Sequence, residues 1–202
     1  MNTDLDLTTA FAVTPDDLDR LHDRFVATAT ADGFVDVTYR TVDSPIGSLL
    51  LATTDTGLVR VAFAGEDHER VLQQLADRVS PRVLRHPARL DDTAHQLDEY
   101  FAGRRHAFDL AIDWELTHGF TRRVLQSTAR IPFGELGTYR SVATRAGNAA
   151  AVRAAGNALG ANPMPIVVPC HRIVRTGGAL GGYTGGVQRK EFLLTLEGTL
   201  PR

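Results

Sequence analysis

The sequence predicts two structural parts: an α/β N-terminal domain, then a mostly α C-terminal domain built around a helix-turn-helix. Three observations predict it. Apolar residues alternate between hairpin signals through residues 34–63, composition changes near Trp114–Gly119, and two short helix-forming stretches are joined by Gly147-Asn148. A chain of 202 residues, 43% hydrophobic, has the length and the apolar content for one large domain or two small ones. The boundaries read as an N-terminal extension with a helix over 1–33, the α/β domain over 34–115, and the C-terminal domain over 116–202.

Thr14-Pro15-Asp16-Asp17 is a helix start, with a cap, a proline in the first turn and acids at the positive end of the dipole. A helix over about 15–29 follows, carrying Leu18, Leu21, His22 and Phe25 on one face and ending near Asp32-Gly33. Val35, Val37 and Tyr39 alternate, Ser44-Pro45-Ile46-Gly47 is a turn, and Leu49–Ala52 and Leu58–Phe63 flank the hairpin signal Asp55-Thr56-Gly57, so a β-meander is expected. Helices fit residues 66–79 and 91–102, with Gly103 suited to end the second, and Phe108, Leu110 and Ile112 alternate like one more strand. Beyond the boundary, Phe120–Ala129 reads as a helix stopped by Ile131-Pro132. The stretch 138–148, read as a short helix and a Gly-Asn turn, and the alanine-rich stretch Ala149–Leu159, closed by Gly160, then resemble a helix-turn-helix. That second helix has almost no side-chain bulk apart from Arg153. Such a helix either packs tightly on a neighbour or brings its backbone to a narrow groove, with Arg153 projecting into a base stack.

The net charge of −2 hides a split. Residues 1–119 hold 11 Arg against 21 Asp and Glu, whereas residues 120–202 hold 10 Arg and one Lys against 3 Glu. A basic C-terminal part suits phosphate, although a solvated surface has the same composition. One cysteine excludes an internal disulfide and a Cys-rich zinc site, and fits a reducing compartment. No run approaches the roughly 18 apolar residues of a membrane span. The acidic start (Asp4, Asp6, Asp16, Asp17) lacks the basic region of a secretory signal, so a soluble intracellular protein is expected.

That one cysteine lies in Pro169-Cys170-His171-Arg172, directly after the apolar run Ile166-Val167-Val168, which reads as a short buried strand. A lone cysteine is commonly inert packing. Here the next residue is an imidazole that can serve as its base, directly or through one water, and Arg172 can add positive potential.

Three stretches, in order, carry a wider pattern. These are Asn162-Pro-Met-Pro-Ile-Val-Val-Pro-Cys-His-Arg-Ile-Val174, Gly181-Gly-Tyr-Thr-Gly-Gly186 and Lys190-Glu-Phe-Leu-Leu-Thr-Leu-Glu-Gly198. Together they resemble the O6-alkylguanine–DNA alkyltransferase family of direct-reversal DNA repair proteins, over roughly residues 37–198. The resemblance implies a ribonuclease-H-like N-terminal domain and a winged-helix-like C-terminal domain that carries the thiol. It implies binding of duplex DNA through the minor groove, flipping of an O6-alkylguanine (or O4-alkylthymine) nucleotide, and a stoichiometric, irreversible transfer of the alkyl group to Cys170. Flipping follows from chemistry, because a buried thiol cannot reach an alkylated oxygen inside the stack.

By the same resemblance, His171 takes the thiol proton through a water, Glu197 orients His171, and Asn162 braces the cysteine turn. Tyr139 donates to the guanine ring. The carbonyls of Cys170 and Ile173 read the exocyclic amine, and the backbone at Tyr183-Thr184 reaches the oxygen. Gly181, Gly182, Gly185 and Gly186 let that loop pass close to the base. Arg153 fills the space left by the flipped nucleotide, Ala151, Ala154 and Gly156 line the groove, and Thr121, Tyr139 and Asn148 meet phosphates. The resemblance implies no cofactor and no metal, since the zinc of some members is held by N-terminal cysteines absent here. A monomer is expected, cytoplasmic in a bacterium and nucleoid-associated when on DNA. Ala149 stands after Asn148 where a proline is common in the family. The competing readings are a non-catalytic sensor of alkylated DNA, against which Cys170 argues, and a Cys-His hydrolase, which needs no DNA.

Overall fold

The computed structural model describes residues 13–200, in two units that divide between Val35 and Asp36. Asp4 and Asp6 of the acidic start lie outside the described residues. In the first unit, α1 (Pro15–Ala31) opens on a reciprocal cap. Thr14 Oγ1 accepts the Asp17 amide at 3.2 Å, and the Asp17 carboxylate accepts the Thr14 amide at 3.0 Å. The helix runs two residues past the expected end, to a cap at Asp32 followed by Gly33 at φ 70°.

The second unit begins with a meander, β1 (Val37–Val42), β2 (Leu49–Thr53) and β3 (Leu58–Phe63), all antiparallel. A helix, α2 (His68–Arg78), crosses to a three-residue strand, β4 (Val83–Arg85), which pairs parallel to β1 and completes the order β3-β2-β1-β4. Next comes α3 (Asp91–Phe101). The four consecutive apolar residues of β2 are explained by burial of both sheet faces. Leu50, Ala52, Val59 and Ala62 share a core with Val71 and Leu75 of α2. Leu49, Leu51, Val61 and Phe63 share the other with Leu97 and Tyr100 of α3, and with Ile166, Val167 and Leu193 from the distant end of the chain.

The expected strand at 108–112 does not form. Its ladder is a single bridge, in which the Leu58 amide donates to Ala111 O and the Asp113 amide to Leu58 O, each at 2.9 Å. The edge of β3 is claimed further along by another segment, since the Val61 amide donates to Pro163 O at 2.8 Å. Conversely, β4 was missed because three residues offer no alternation to read.

The chain then builds α4 (Gly119–Ala129), β5 (Gly137–Thr138), α5 (Tyr139–Arg145) and α6 (Val152–Gly160). A tight turn at Cys170–Arg172 leads to β6 (Ile173–Val174), parallel to β5, and the last helix is α7 (Val187–Leu196). Val124, Leu125, Val142, Ala143, Ala155, Ala158 and Leu159 make the core of the three-helix group, closed by Met164, Val168 and Cys170.

Two further segments differ from what the sequence predicts. The second helix of the pair starts at Val152, not Ala149, because Asn148 Oδ1 accepts the Ala150 amide at 3.1 Å and holds the chain in a turn. Ile166-Val167-Val168 is a buried turn and not a strand. Ile166 has φ 76° and the Val168 amide donates to Met164 O at 2.8 Å. The run is apolar because Ile166 and Val167 enter the core under the sheet while Val168 enters the helical core.

Gly57 shows how tightly residues 108–112 are seated. It has φ 147°, and a Cβ there would lie 2.4 Å from Ala111 O. Gly57→Ala is expected to cost about 2 kcal/mol, from overpacking and backbone strain together. Urea unfolding checks this, and an unchanged midpoint would mean that the segment gives way freely.

Candidate active site

Cys170 sits where the buried turn at 164–169 meets β6, and the side chain is 6% exposed. Asn162, just beyond α6, spans this turn. Its Nδ2 donates to Val168 O at 2.8 Å and to Cys170 Sγ at 3.1 Å, and its Oδ1 accepts the Met164 amide at 3.1 Å. Burial pushes the thiol up to about 11, against the Asn162 hydrogen bond and the positive charge of Lys190.

Behind the thiol lies a buried carboxylate. Glu197, the residue that ends α7, accepts from His171 Nε2 at 2.9 Å and Tyr100 Oη at 2.7 Å on Oε1. Arg172 grips both oxygens, with Nε to Oε2 at 2.8 Å and Nη2 to Oε1 at 2.9 Å, while Nη1 donates to Ile131 O at 2.5 Å. Burial opposes the charge on Glu197, but the bonds from His171 and Arg172 overcome it and hold the carboxyl down at about 2. Burial lowers the affinity of His171 for a second proton, against the opposing pull of Glu197. An ionised carboxylate only accepts, so the proton of neutral His171 resides on Nε2. Nδ1 is then the lone-pair nitrogen, and it is buried without a partner.

Sequence reasoning gave Arg172 the wrong task. Its guanidinium is committed to Glu197, and the cation felt by the thiol is Lys190. Lys190 is fully buried, donates from Nζ to Ile173 O at 2.5 Å and to Leu180 O, and is lowered by burial to about 8. It is the one lysine beside 21 arginines, a signal that was available and unused. Tyr100 was missed as well, and nothing local marks it, since it lies 97 residues from Glu197 on α3.

In front of the thiol, Tyr139, Gly156, Leu159, Gly160, Cys170, Gly182, Tyr183 and Thr184 line a cavity of about 410 Å³. Thr184 Oγ1 donates to Gly160 O at 2.9 Å and ties the loop to the end of α6. Two glycines are sterically required. A Cβ on Gly181 (φ 71°) would lie 2.7 Å from the Tyr139 hydroxyl, and one on Gly185 would lie 2.7 Å from the Phe63 ring. The Tyr183 ring meets Phe63 edge-on at 6.0 Å and His171 at 6.4 Å, and its hydroxyl is buried without a partner.

Of the residues singled out in the sequence, Cys170, Tyr139, Gly156, Gly182, Tyr183 and Thr184 share this cavity, with His171, Glu197 and Asn162 behind it. Ile173 is buried and its carbonyl is already engaged by Lys190. The carbonyl of Cys170 likewise accepts the Ile173 amide. Ala151 caps the N-terminus of α6, Arg153 and Ala154 are exposed on its first turn, and Asn148 is exposed in the turn before it. Thr121 is half-buried in the first turn of α4. Among the described residues no His, Cys, Asp or Glu cluster could hold a metal ion, and no helix is long and apolar enough to cross a membrane.

Because the folded carboxyl of Glu197 is depressed, its contribution to stability is present above about 4.5 and is lost as pH falls toward about 2. Wild type should therefore exceed Glu197→Gln in stability at neutral pH, and the gap should close over that interval. Denaturant unfolding at several pH values checks this, and a gap independent of pH would contradict an ionised Glu197.

Residues 37–114 match the family model of the 6-O-methylguanine DNA methyltransferase ribonuclease-like domain, and residues 119–199 that of the DNA-binding domain. A methylated-DNA–protein-cysteine methyltransferase of Mycolicibacterium paratuberculosis is 40% identical over 161 residues, covering 80% of this chain and 92% of that one. The crystal structure of Mycobacterium tuberculosis O6-methylguanine methyltransferase superposes with a TM-score of 0.69 at 37% identity, covering 81% of this chain and 93% of that one. A further M. tuberculosis structure, OGT in complex with DNA, gives a TM-score of 0.69 at 36% identity over 80% and 93% of the two chains. The chain belongs to the 6-O-methylguanine DNA methyltransferase family.

Proposed function

We propose that this protein repairs DNA by direct reversal, moving the alkyl group of O6-alkylguanine in duplex DNA onto Cys170, once per molecule. The observation that carries this reading is a single buried thiol at the wall of an open cavity, backed by a His171–Glu197 pair whose free nitrogen is Nδ1. The flipped base enters between Tyr139 and the 181–185 loop. Sγ attacks the alkyl carbon in line with the C–O bond. The S–C bond forms as the C–O bond breaks, and the electron pair passes into the guanine ring. The thiol proton leaves through a water to His171 Nδ1, and guanine leaves as an anion held by a hydrogen bond from Tyr139, its charge matched by the new imidazolium until the base takes a proton from solvent. Asn162 steadies sulfur as its charge develops. The second lone pairs of the Cys170 and Ile173 carbonyls accept from the exocyclic amine, and the backbone at Tyr183-Thr184 donates to the guanine oxygen.

On the DNA side, α6 lies in the minor groove. Its small residues Ala151, Ala154 and Gly156 permit close approach, and exposed Arg153 stands in for the flipped nucleotide. Thr121, Tyr139 and Asn148 meet phosphates. The protein works as a monomer in the cytoplasm.

Intact mass spectrometry after mixing with a duplex carrying one O6-methylguanine should show the gain of a single methylene, mapped to Cys170 and saturating at one per chain. Cys170→Ala should bind the duplex and gain nothing. A modified Cys170→Ala chain, or an unmodified wild type bound to the lesion, would overturn the reaction. Arg153→Ala should slow repair of duplex DNA by roughly tenfold or more, while leaving reaction with free O6-alkylguanine near wild type, since base extrusion costs a few kcal/mol. Equal losses on both substrates would remove Arg153 from the flipping step.

A further inference from the structure

We propose that Tyr100, a residue of the α/β half, is a positioning residue of the transfer relay. Its hydroxyl holds Glu197 Oε1 and weakens the pull of that carboxylate on the proton of His171. The inference rests on the proposed reaction only in that His171 must be neutral to accept the thiol proton.

The geometry is specific. Tyr100 is fully buried, and its Oη lies 2.7 Å from the same oxygen that takes His171 Nε2 and Arg172 Nη2, each at 2.9 Å. Three donors therefore converge on one oxygen, while Oε2 receives Arg172 Nε. A carboxylate that shares its charge among more donors is a weaker base toward each of them. Tyr100 keeps its own proton, because burial and the negative charge of Glu197 both push its ionisation up. Toward an ionised carboxylate it is the donor, and it tips the balance toward a Glu197 that orients His171 without charging it.

Other charged and titratable groups face this pair. His171 is also faced by Arg172 on its own turn and Lys190 from α7, and both disfavour its protonation. Cys170 adjoins it, and the ring of Tyr183 meets it edge-on from the glycine-rich loop. The buried Tyr183 hydroxyl feels Cys170, Tyr100, Glu197 and Arg189 without a hydrogen bond of its own. None of these replaces the Tyr100 donor on Oε1.

The decisive measurement is the rate of alkyl transfer against pH for the full chain. In Tyr100→Phe, Glu197 should draw the proton of His171 more strongly, so His171 charges at higher pH and stops serving as a base. The acid limb of the profile should move up by about half a pH unit or more, the part passed on to His171 of the roughly one to two units that a lost hydrogen bond to a charged group represents. The Phe101, Phe108 and Phe133 contacts of the ring, at 5.4, 5.3 and 6.2 Å, remain. Tyr100→3-fluorotyrosine, with a stronger donor in the same shape, should move the limb down, and it carries the test should the Phe variant fail to fold. A limb that stays in place in the folded variants overturns the inference, even if the rate falls uniformly, because that pattern belongs to packing alone. A wild-type chain that transfers nothing would sink the functional reading instead, and NMR titration of the His171 imidazole would then decide Tyr100 by the same pair of shifts.

Discussion

The carboxylate of Glu197 is the point on which the rest of this molecule depends. A charge this deeply buried is tolerated only when its oxygens are saturated by donors, and removing one partner of such a set typically costs about 3–5 kcal/mol. The donors come from three places: His171 and Arg172 beside the thiol, and Tyr100 on α3 of the α/β half. Arg172 extends the set to the Ile131 carbonyl beyond α4. Glu197 also ends a helix, where the dipole disfavours a negative charge, so the residue is placed for its partners and against its local preference. The two halves are therefore joined through the reactive centre, and the shared core of Phe63, Leu97, Tyr100, Ile166 and Leu193 packs around that joint.

This arrangement explains how one thiol can be both protected and reactive. At rest, burial raises it from an ordinary 9.0 to about 11, so it is protonated at neutral pH. Forming the thiolate is thereby made costlier, and a thiol is a poor target for adventitious oxidation. Reactivity then depends on a proton acceptor close at hand when the electrophile arrives. In the proposed reaction a neutral His171 held with Nδ1 free meets that need. Lys190 and the Asn162 amide favour charge on sulfur without ionising it in advance.

Much of this was legible in the sequence, for identifiable reasons. The meander, α2, α3, α4 and α5 announced themselves because each has one regular period and its own punctuation. The strand assigned to Ile166–Val168 failed because an apolar run reports burial and not backbone geometry, and here the burial comes from plugging two cores. Residues 108–112 failed for a non-local reason, since the edge of β3 is partly taken by Pro163. The same divide holds at the site. Cys170 and His171 stood out from their own tetrapeptide, whereas Asn162, Tyr183 and Glu197 were named only by the resemblance that the three flanking stretches carry. Tyr100 was invisible, since only folding brings it to Glu197, and Arg172 was misread because its partner, not its charge, determines its role.

Single use also follows from the chemistry of the proposed site. The forward step succeeds because the leaving group is a guanine ring that can take up the electron pair with a hydrogen bond from Tyr139. Regenerating Cys170 would need water to attack the same alkyl carbon and expel a thiolate. Lys190, the cation felt by sulfur, is already donating to Ile173 O and Leu180 O and has no proton placed to assist a departing thiolate. A buried thiolate is also the poorer leaving group here, for the same burial that guards the resting thiol raises the energy of its anion. The desolvation that protects the cysteine before the reaction thus makes the thioether permanent after it.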